Sequence, residues 1–536
     1  MQPILMSTTL ALTLALTLAT SSGDRPRPEG RVVAGLAAPA TPTTPRVPAF
    51  SLFGWLSPPV ESTTTARIAE MAEAGLTLAM PAYEDSTGIA GSPADNFARL
   101  DLLAGQGMQA LVFDDRFRRA LAPDPTAPAA LATLDSILAD YRDRPNVLGW
   151  YLGDEPTAAF FDTLAVRFAV LRAHDPGRFA WNNLLGRGNF TARDDWIAYL
   201  RDYIARVRPT VLCDDHYDFQ LTGDRGMFVE NAAGLAAVGR ESGLPFWCVI
   251  LVIGHAKHRA ATPGLLAWQT SELLAYGARG IGYFTYWTPP PDPIEHWGDG
   301  LIARNGQRGP LYATVAALAP RLQAAGETLA GLTWLATEHS GSCPVGGTPF
   351  APDDWIAAVE GRAALGEFAD SAGTRYVLVA NSDSESAAAL ALTLPHATSV
   401  DTLGAAVGAW GALPLASGEG GARVTLALGP GAFALVRVRG DFGPLRAGAG
   451  PALTAWPSPA RGLVRIGYQG LSRGGHVEVV DAAGRRVWSG APRAGAGLVT
   501  WDGAREGGGT ASPGVYFVRF EDLRGVAAAR VVWLGR

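Results

Sequence analysis

A strand-like apolar stretch followed by a helical pattern recurs eight times between residues 49 and 335. The stretches are rich in Val, Leu, Ile and aromatic residues and are bounded by turn-forming residues, which is typical of strands buried on both faces of a parallel sheet. The segments between them have the apolar spacing of amphipathic helices. The predicted strands are 50–56, 76–83, 108–115, 147–155, 178–185, 210–219, 245–255 and 280–288. Eight consecutive strand–helix units predict a closed (β/α)8 barrel.

A doubly wound open sheet is the structural alternative for this alternation. Such a sheet carries a glycine-rich turn after its first strand, where it holds a phosphate. The turn after the first predicted strand reads FGWLSPPVES and is not glycine-rich. We therefore predict a TIM barrel over residues 49–335.

The chain after the barrel changes from a helical to an alternating apolar pattern. Residues 336–440 contain short strand-like segments separated by Gly, Ser and Asp, and they predict a β-sandwich. Residues 441–451 are rich in Gly and Pro and predict a hinge, and residues 452–536 predict a second β domain. The chain is thus expected to fold as three domains.

The N-terminus predicts export. Residues 1–22 contain a Leu-, Ala- and Thr-rich run that is too short for a membrane span and resembles a signal peptide, although no Lys or Arg precedes the run. Residues 23–48 are rich in Pro, Ala and Thr without periodicity, as in a flexible linker. We expect a secreted or cell-surface protein without a membrane span.

The charge balance disfavours a nucleic-acid partner. The chain has 44 Lys and Arg against 50 Asp and Glu, a net charge of −6, whereas nucleic-acid binding normally needs a basic face. Its three cysteines, Cys213, Cys248 and Cys343, are too few for a disulfide framework.

The fourth predicted strand ends in two carboxylates and a proline. Residues 147–156 read VLGWYLGDEP, and Pro156 cannot donate to a strand ladder because it has no N–H. Asp154 and Glu155 therefore lie at the carboxyl end of the strand, which is where barrel proteins place their sites. The alternative is that the two acidic residues only cap the following loop.

The other strand ends carry carboxylates, amides and aromatic rings as well. Sugars need this mixture, because their hydroxyl groups bond to carboxylates and amides while their C–H faces stack on rings. A phosphate site would need glycine-rich amide nests or basic residues instead. The candidate binding residues are Trp55, Asp114, Asp115, Asp154, Asn182, Asn183, His216, Tyr217, His255, Tyr286 and Trp287.

The barrel resembles the clan A glycoside hydrolases, in which an acid/base Glu before a Pro closes the fourth strand and an aromatic residue closes the eighth. GDEP at 153–156 and YFTYW at 283–287 occupy these places. The resemblance implies hydrolysis of O-glycosidic bonds in an oligo- or polysaccharide, with Glu155 as the acid/base and no cofactor. The sequence departs from the clan's pattern at two places. Asp154 stands where the clan has Asn, and the seventh strand, PFWCVILVIGH, lacks the clan's nucleophilic Glu.

The second carboxyl group therefore has to come from elsewhere. Glu272 follows the seventh strand but lies in a predicted helix, where it should face away. The candidates are Asp215, Asp154, and either Asp114 or Asp115. We prefer Asp215, because it could face Glu155 across a gap of about 6.5–9.5 Å that admits a water and gives inversion. The alternative function is non-catalytic carbohydrate binding by a degenerate barrel.

The histidines near the strand ends allow one further hypothesis. His216, His255 and His258 with Asp214 could bind a metal, because imidazole and carboxylate suit zinc or manganese. Their spacing matches no diagnostic ligand pattern, and hydrogen-bonding histidines at a polar mouth are the commoner outcome. We expect no metal.

The last domain resembles FlgD-like immunoglobulin domains and the C-terminal sorting domains of secreted bacterial proteins. The matching segments are WPSPARGLVRI, VEVVDAAGRRV, TWDG and SPGVYFVRF. This resemblance implies a bacterial, exported protein with secretion machinery or the cell surface as a partner. The middle domain resembles the β-sandwich that often follows such barrels, where its role is structural.

Overall fold

The computed structural model describes residues 45–84, 88–89, 91–121, 124–418, 420–442, 452–456, 458–471, 476–490, 495–522 and 525–535. The predicted signal peptide, most of the predicted linker and most of the predicted hinge lie outside the described residues. Within the described residues, no helix is both long enough and apolar enough to cross a bilayer.

Nine parallel strands form a curled sheet at the centre of the first domain. The strands are Ser51–Gly54, Leu78–Ala79, Gln109–Val112, Val147–Tyr151, Phe179–Trp181, Leu184–Leu185, Leu212–Asp215, Phe246–Leu251 and Gly280–Phe284. The first strand pairs with the second and with the last. Phe179–Trp181 pairs with Val147–Tyr151, and Leu184–Leu185 pairs with Leu212–Asp215. The predicted fifth strand is thus divided into two pieces, and the domain is TIM-barrel-like.

The observed strands end earlier than the sequence pattern predicts. The fourth strand stops at Tyr151 and the seventh at Leu251, so the polar residues that follow lie in loops. A short hairpin, Tyr83–Glu84 with Gly88–Ile89, follows the second strand.

Helices follow each strand and cover the outside of the sheet. They are Thr65–Glu73, Pro93–Gly105, Phe117–Ala120, Pro128–Asp140, Phe161–His174, Arg193–Val207, Phe228–Ser242, Pro263–Ala275 and Tyr312–Ala330, with 3-10 turns at Val60–Ser62, Ala158–Phe160 and Arg187–Asn189. The first helix begins where the Thr64 hydroxyl accepts the Arg67 N–H at 3.3 Å. This bond satisfies one of the amides that a helix start leaves free.

Aromatic rings fill the inside of the barrel. Phe53 packs against Trp181 and Trp247, with ring centroids 6.5 and 5.6 Å apart. Gly282 makes room for this layer, because a Cβ there would lie 2.5 Å from the Phe53 ring. Trp150 instead packs outside the sheet, on Tyr141 among other residues. The filled interior confines any pocket to the ends of the strands.

The second unit consists of two antiparallel sheets. Six strands form the first, namely Thr333–His339, Ala363–Ala369, Arg375–Asn381, Phe433–Gly440, Ala397–Leu403 and Trp410–Leu413; four form the other, namely Ala358–Glu360, Ala388–Leu394, Gly421–Leu428 and Ala416–Gly418. Val377 and Val379 belong to the core shared by the two sheets, whereas Tyr376 and Leu378 belong to the barrel's core. Successive side chains of this strand point to opposite faces, so the strand belongs to both cores and attaches this unit to the barrel.

The last unit has its own core. A three-stranded sheet of Ala452–Trp456, Val464–Leu471 and Gly495–Trp501 accompanies a four-stranded sheet of Arg486–Gly490, His476–Asp481, Gly514–Asp522 and Gly525–Trp533. Trp501 packs on Trp533 and Tyr516, with centroids 5.0 and 5.3 Å apart. These rings lie in a separate apolar cluster built only from residues 453–533.

Because this cluster is self-contained, a chain that ends at Phe442 should remain soluble. Its barrel should unfold within about 2 °C of the full-length temperature, since no barrel core residue is removed. Thermal unfolding followed by circular dichroism measures this. Insoluble or unfolded protein would show that the barrel depends on the last unit.

Candidate functional site

A small pocket lies where the barrel strands end. The residues around it combine acidic, amide and aromatic side chains. They are Trp55, Leu56, Tyr83, Asp154, Glu155, Asn183, Asp215, Tyr217, His255, Phe284, Pro289, Glu295 and Trp297.

Seven residues singled out in the sequence line this pocket, and six do not. The lining residues are Trp55, Asp154, Glu155, Asn183, Asp215, Tyr217 and His255. The residues that do not line it are Asp114, Asp115, Asn182, His216, Tyr286 and Trp287.

The loop that presents Glu155 is held by the divided fifth strand. The Glu155 N–H donates to the Asn183 carbonyl at 3.0 Å, and the Asn183 N–H donates to the Gly153 carbonyl at 3.4 Å. Glu155 has a φ of +42°, in the left-handed region that residues with a Cβ seldom occupy. Such strain persists only where surrounding contacts hold the backbone, and it clusters at functional sites.

The Asn183 side chain joins two carboxyl groups. Its Nδ2 donates to Asp154 Oδ1 at 3.0 Å and to Asp215 Oδ1 at 2.7 Å. Asp215 also accepts from the Tyr217 hydroxyl, and its carboxyl group lies within hydrogen-bonding distance of Glu155. Three carboxyl groups from the ends of the fourth and sixth strands therefore meet around one amide.

Strand alternation explains why Asp215 reaches the pocket and Asp214 does not. Cys213 lies in the barrel's inner core, so Asp215, two residues on, projects to the same side. Asp214 projects to the other side, where its Oδ1 accepts from Asn231 Nδ2 at 3.2 Å.

Burial raises the pKa values of the three grouped carboxyl groups. For Glu155 and Asp154, burial is the main cause and the charge of Asp215 adds to it. Burial also raises the pKa of Asp215. The hydrogen bonds from Asn183 and Tyr217 favour its charged form and oppose part of this rise. A raised pKa keeps a carboxyl group protonated near neutral pH, which is what a general acid requires.

A second acidic centre lies beside the end of the seventh strand. His255 Nδ1 is 2.9 Å from Glu295 Oε2. The His255 ring stacks on Trp297, with centroids 5.0 Å apart and an angle of 33° between the planes. Burial lowers the pKa of His255 to about 4, so the ring is neutral at physiological pH. Burial also raises the pKa of Glu295.

Sequence reasoning did not find Tyr83, Phe284, Glu295 or Trp297. The last two belong to a loop, PDPIEHW, that follows the eighth strand and has no periodicity. An acidic residue and a tryptophan two positions apart in a Pro-rich loop were the only available signal. Phe284 is the aromatic residue of the eighth strand that lines the pocket.

Other singled-out side chains have structural partners. Asp114 is buried and binds the Arg116 guanidinium and the Tyr141 hydroxyl, at 2.9 and 2.8 Å. Asp115 is exposed and pairs with Arg118. Arg67 lies over the Trp287 ring, 5.6 Å from its centroid.

The remaining three are buried away from the pocket. Tyr286 and Asn182 are 0% and 3% exposed, and each has a side-chain oxygen without a hydrogen-bond partner among the described residues. His216 Nδ1 accepts from the Gly188 N–H at 3.3 Å, and its Nε2 faces Asp218 Oδ1 at 3.4 Å.

The histidines do not assemble into a metal centre. The His255 and His258 rings pack together, 5.0 Å apart, while His216 is engaged with Gly188 and Asp218. Among the residues that the structure describes, no group of three His, Cys, Asp or Glu side chains is arranged to hold a metal ion. Glu272 lies in the helix Pro263–Ala275, is fully buried and does not line the pocket.

No protein-family model matches the sequence, and no curated protein matches it. Solved structures similar to the chain include glycoside hydrolases. A family 5 glycoside hydrolase from Bacteroides vulgatus has a TM-score of 0.44 at 13% identity, covering 73% of this chain and 89% of its own. A β-galactosidase from Marinomonas ef1 (0.40, 12%) and one from Halorubrum lacusprofundi (0.39, 15%) cover 54% and 53% of this chain. The match spans 63% and 59% of the length of these two β-galactosidases.

The pKa shifts predict how Asp215→Asn changes stability. A carboxyl group whose folded pKa exceeds its unfolded pKa stabilises the fold below the unfolded pKa, and this contribution is lost as the pH rises through the folded pKa. Asp215→Asn removes one such group and keeps an oxygen that can accept from Asn183. At pH 8 the variant should therefore unfold about 2 °C above the wild type, or about 1 kcal/mol, and the difference should vanish near pH 4.

Thermal unfolding of both proteins across this pH range measures the effect. A variant that is less stable than the wild type at pH 8 would show that Asp215 stabilises the fold as an anion.

Proposed function

We propose that the protein is a glycoside hydrolase that uses Glu155 as its general acid/base. The observation that carries this proposal is the position of Glu155 in the pocket, in contact with Asp215 and with a raised pKa. A carboxylic acid that stays protonated near neutral pH can give its proton to the oxygen of a leaving sugar.

The other residues of the pocket suit a sugar. Asp154 provides a carboxyl group for hydroxyls, and the Trp297 ring provides a face for C–H groups. Trp55 is only 6% exposed and packs on Tyr151 and Trp181, so it forms the floor of the pocket. We propose an O-glycosidic bond of an oligo- or polysaccharide as the substrate.

We assign Asp215 a role in controlling the Glu155 proton. The sequence-based expectation was a water-filled gap between these carboxyl groups, whereas a hydrogen-bonding interaction between them contributes to the raised pKa of Glu155. The Asp215 charge also raises the Glu155 pKa. In Asp215→Asn, the alkaline limb of the kcat/KM profile should therefore move to lower pH by about one unit. An unmoved limb would exclude this role.

Non-catalytic carbohydrate binding is the second candidate function. The interaction between Glu155 and Asp215 favours it, because it engages the proposed acid/base with another carboxyl group. Calorimetry with oligosaccharides, followed by analysis of the same samples for released sugar, separates the two functions. Binding without product would favour the second.

We further propose that the protein is exported and that its last unit is an FlgD-like immunoglobulin domain attached to the cell surface or to secretion machinery. The motifs at both ends of the chain support this proposal. Residues 1–48 fused to a periplasmic reporter enzyme should carry the reporter out of the bacterial cytoplasm. Reporter retained in the cytoplasm would refute an export signal in this segment.

Glu155→Gln tests the catalytic proposal most directly. The amide keeps the shape of the side chain but cannot donate the proton, so kcat on unactivated glycosides should fall about 10²–10⁴-fold. Release of reducing sugar measures the effect. Glu61→Gln is the matched control, because Glu61 is exposed and does not line the pocket. Unchanged turnover in Glu155→Gln would refute the assigned role.

A further inference from the structure

The reaction proposed above needs a second carboxyl group, and the seventh strand carries none. We propose that Glu295, from the loop after the eighth strand, is the catalytic nucleophile. This inference rests on the proposed hydrolysis of glycosides and names the residue that completes it.

Glu295 brings a carboxylate to the place where the seventh strand ends. Its side chain lines the same pocket as Glu155, and the residue is 3% exposed. Its Oε2 lies 2.9 Å from Nδ1 of His255, the last residue of the stretch PFWCVILVIGH. A residue distant in sequence thereby places an acid beside the loop that follows the seventh strand.

The backbone of the loop is attached at several points. Asp292 Oδ1 accepts from the N–H groups of Ile294 and Glu295, at 2.8 and 2.9 Å. The Ala256 N–H donates to the Glu295 carbonyl, and the Gly298 N–H donates to the Gly254 carbonyl at 2.8 Å. Bonds at Glu295 and at Gly298 thus join the loop to the segment after the seventh strand, so the position of Glu295 is determined by the fold.

The other acidic residues around the pocket are already engaged with one another. Asp154 shares the Asn183 amide with Asp215, and Asp215 contacts Glu155. Of the described carboxylates that line the pocket, Glu295 alone contacts the loop after the seventh strand. A glycosidase requires two carboxyl groups that flank the scissile bond, and Glu295 lies outside the group formed by Asp154, Glu155 and Asp215.

His255 orients the Glu295 carboxylate. Its ring is packed between aromatic groups that include Trp297 and Tyr217. Its Nε2 is buried and has no hydrogen-bond partner among the described residues, whereas Nδ1 faces Glu295. With its proton on Nδ1, the neutral ring donates to one carboxylate oxygen and leaves the other for the sugar. His255 is therefore a positioning residue.

The reaction proceeds in two balanced steps. A Glu295 oxygen bonds to the anomeric carbon while the bond from that carbon to the leaving oxygen breaks, and the leaving oxygen takes the Glu155 proton. A water then gives its proton to the Glu155 carboxylate and bonds to the anomeric carbon, which releases Glu295 as a carboxylate. The product keeps the configuration of the substrate.

The test uses the full-length protein and the 2,4-dinitrophenyl β-glycosides of glucose, galactose, mannose and xylose. Their leaving group needs no proton, so Glu155→Ala should still form the glycosyl-enzyme from them. Glu295→Ala should lose at least about 10³-fold in kcat on every substrate that the wild type cleaves. Sodium azide should restore turnover in Glu295→Ala and give the α-glycosyl azide, because azide enters the space left by the carboxylate. Asp299→Ala, an exposed acidic residue of the same loop, is the matched control.

Each result decides a different point. A wild type that cleaves none of these substrates overturns the proposed function and this inference with it. A cleaving wild type with an active Glu295→Ala overturns only the role of Glu295. Glu295→Ala that is inactive, folded by circular dichroism and not rescued by azide also overturns that role, as does inversion of configuration in the wild-type product.

Discussion

The site depends on the division of the barrel's fifth strand into two pieces. Phe179–Trp181 pairs with the fourth strand and Leu184–Leu185 pairs with the sixth, so the two residues between these pieces lie at the junction. Asn183 is one of them, and its amide reaches Asp154 on one side and Asp215 on the other. The fourth and sixth strands do not pair with each other, yet the junction between them brings their acidic residues within reach of one side chain.

Burying three carboxyl groups together costs stability and keeps the groups protonated at a higher pH than usual. All three pKa values are raised by burial, and those of Asp154 and Glu155 are raised further by the charge of Asp215. The fold tolerates the cost because amide and hydroxyl groups satisfy the acidic oxygens. Sites that must hold a proton for transfer commonly lower the stability of the fold in this way.

The fourth carboxyl group of the pocket, that of Glu295, has a different environment. It faces a neutral histidine rather than an amide, and aromatic rings pack around that histidine. The aromatic layer inside the barrel, with Phe53 at its centre, closes the pocket from below. The pocket therefore combines a group of three acids with raised pKa values and a fourth acid that contacts a histidine.

The sequence by itself predicted the alternation of strands and helices in the barrel, and it identified GDEP as the segment that follows the fourth strand. It named Asp215 as the preferred partner of Glu155, whereas the strand alternation seen in the structure is what directs Asp215 rather than Asp214 to the pocket. Only the tertiary structure decided that Asp114 and His216 are held by structural partners and that Asp215 touches Glu155. The tertiary structure alone revealed Glu295, because the bond between residues 255 and 295 joins two loops without periodicity. Periodicity indicates which residues of a segment are buried, but not which distant segment lies beside it.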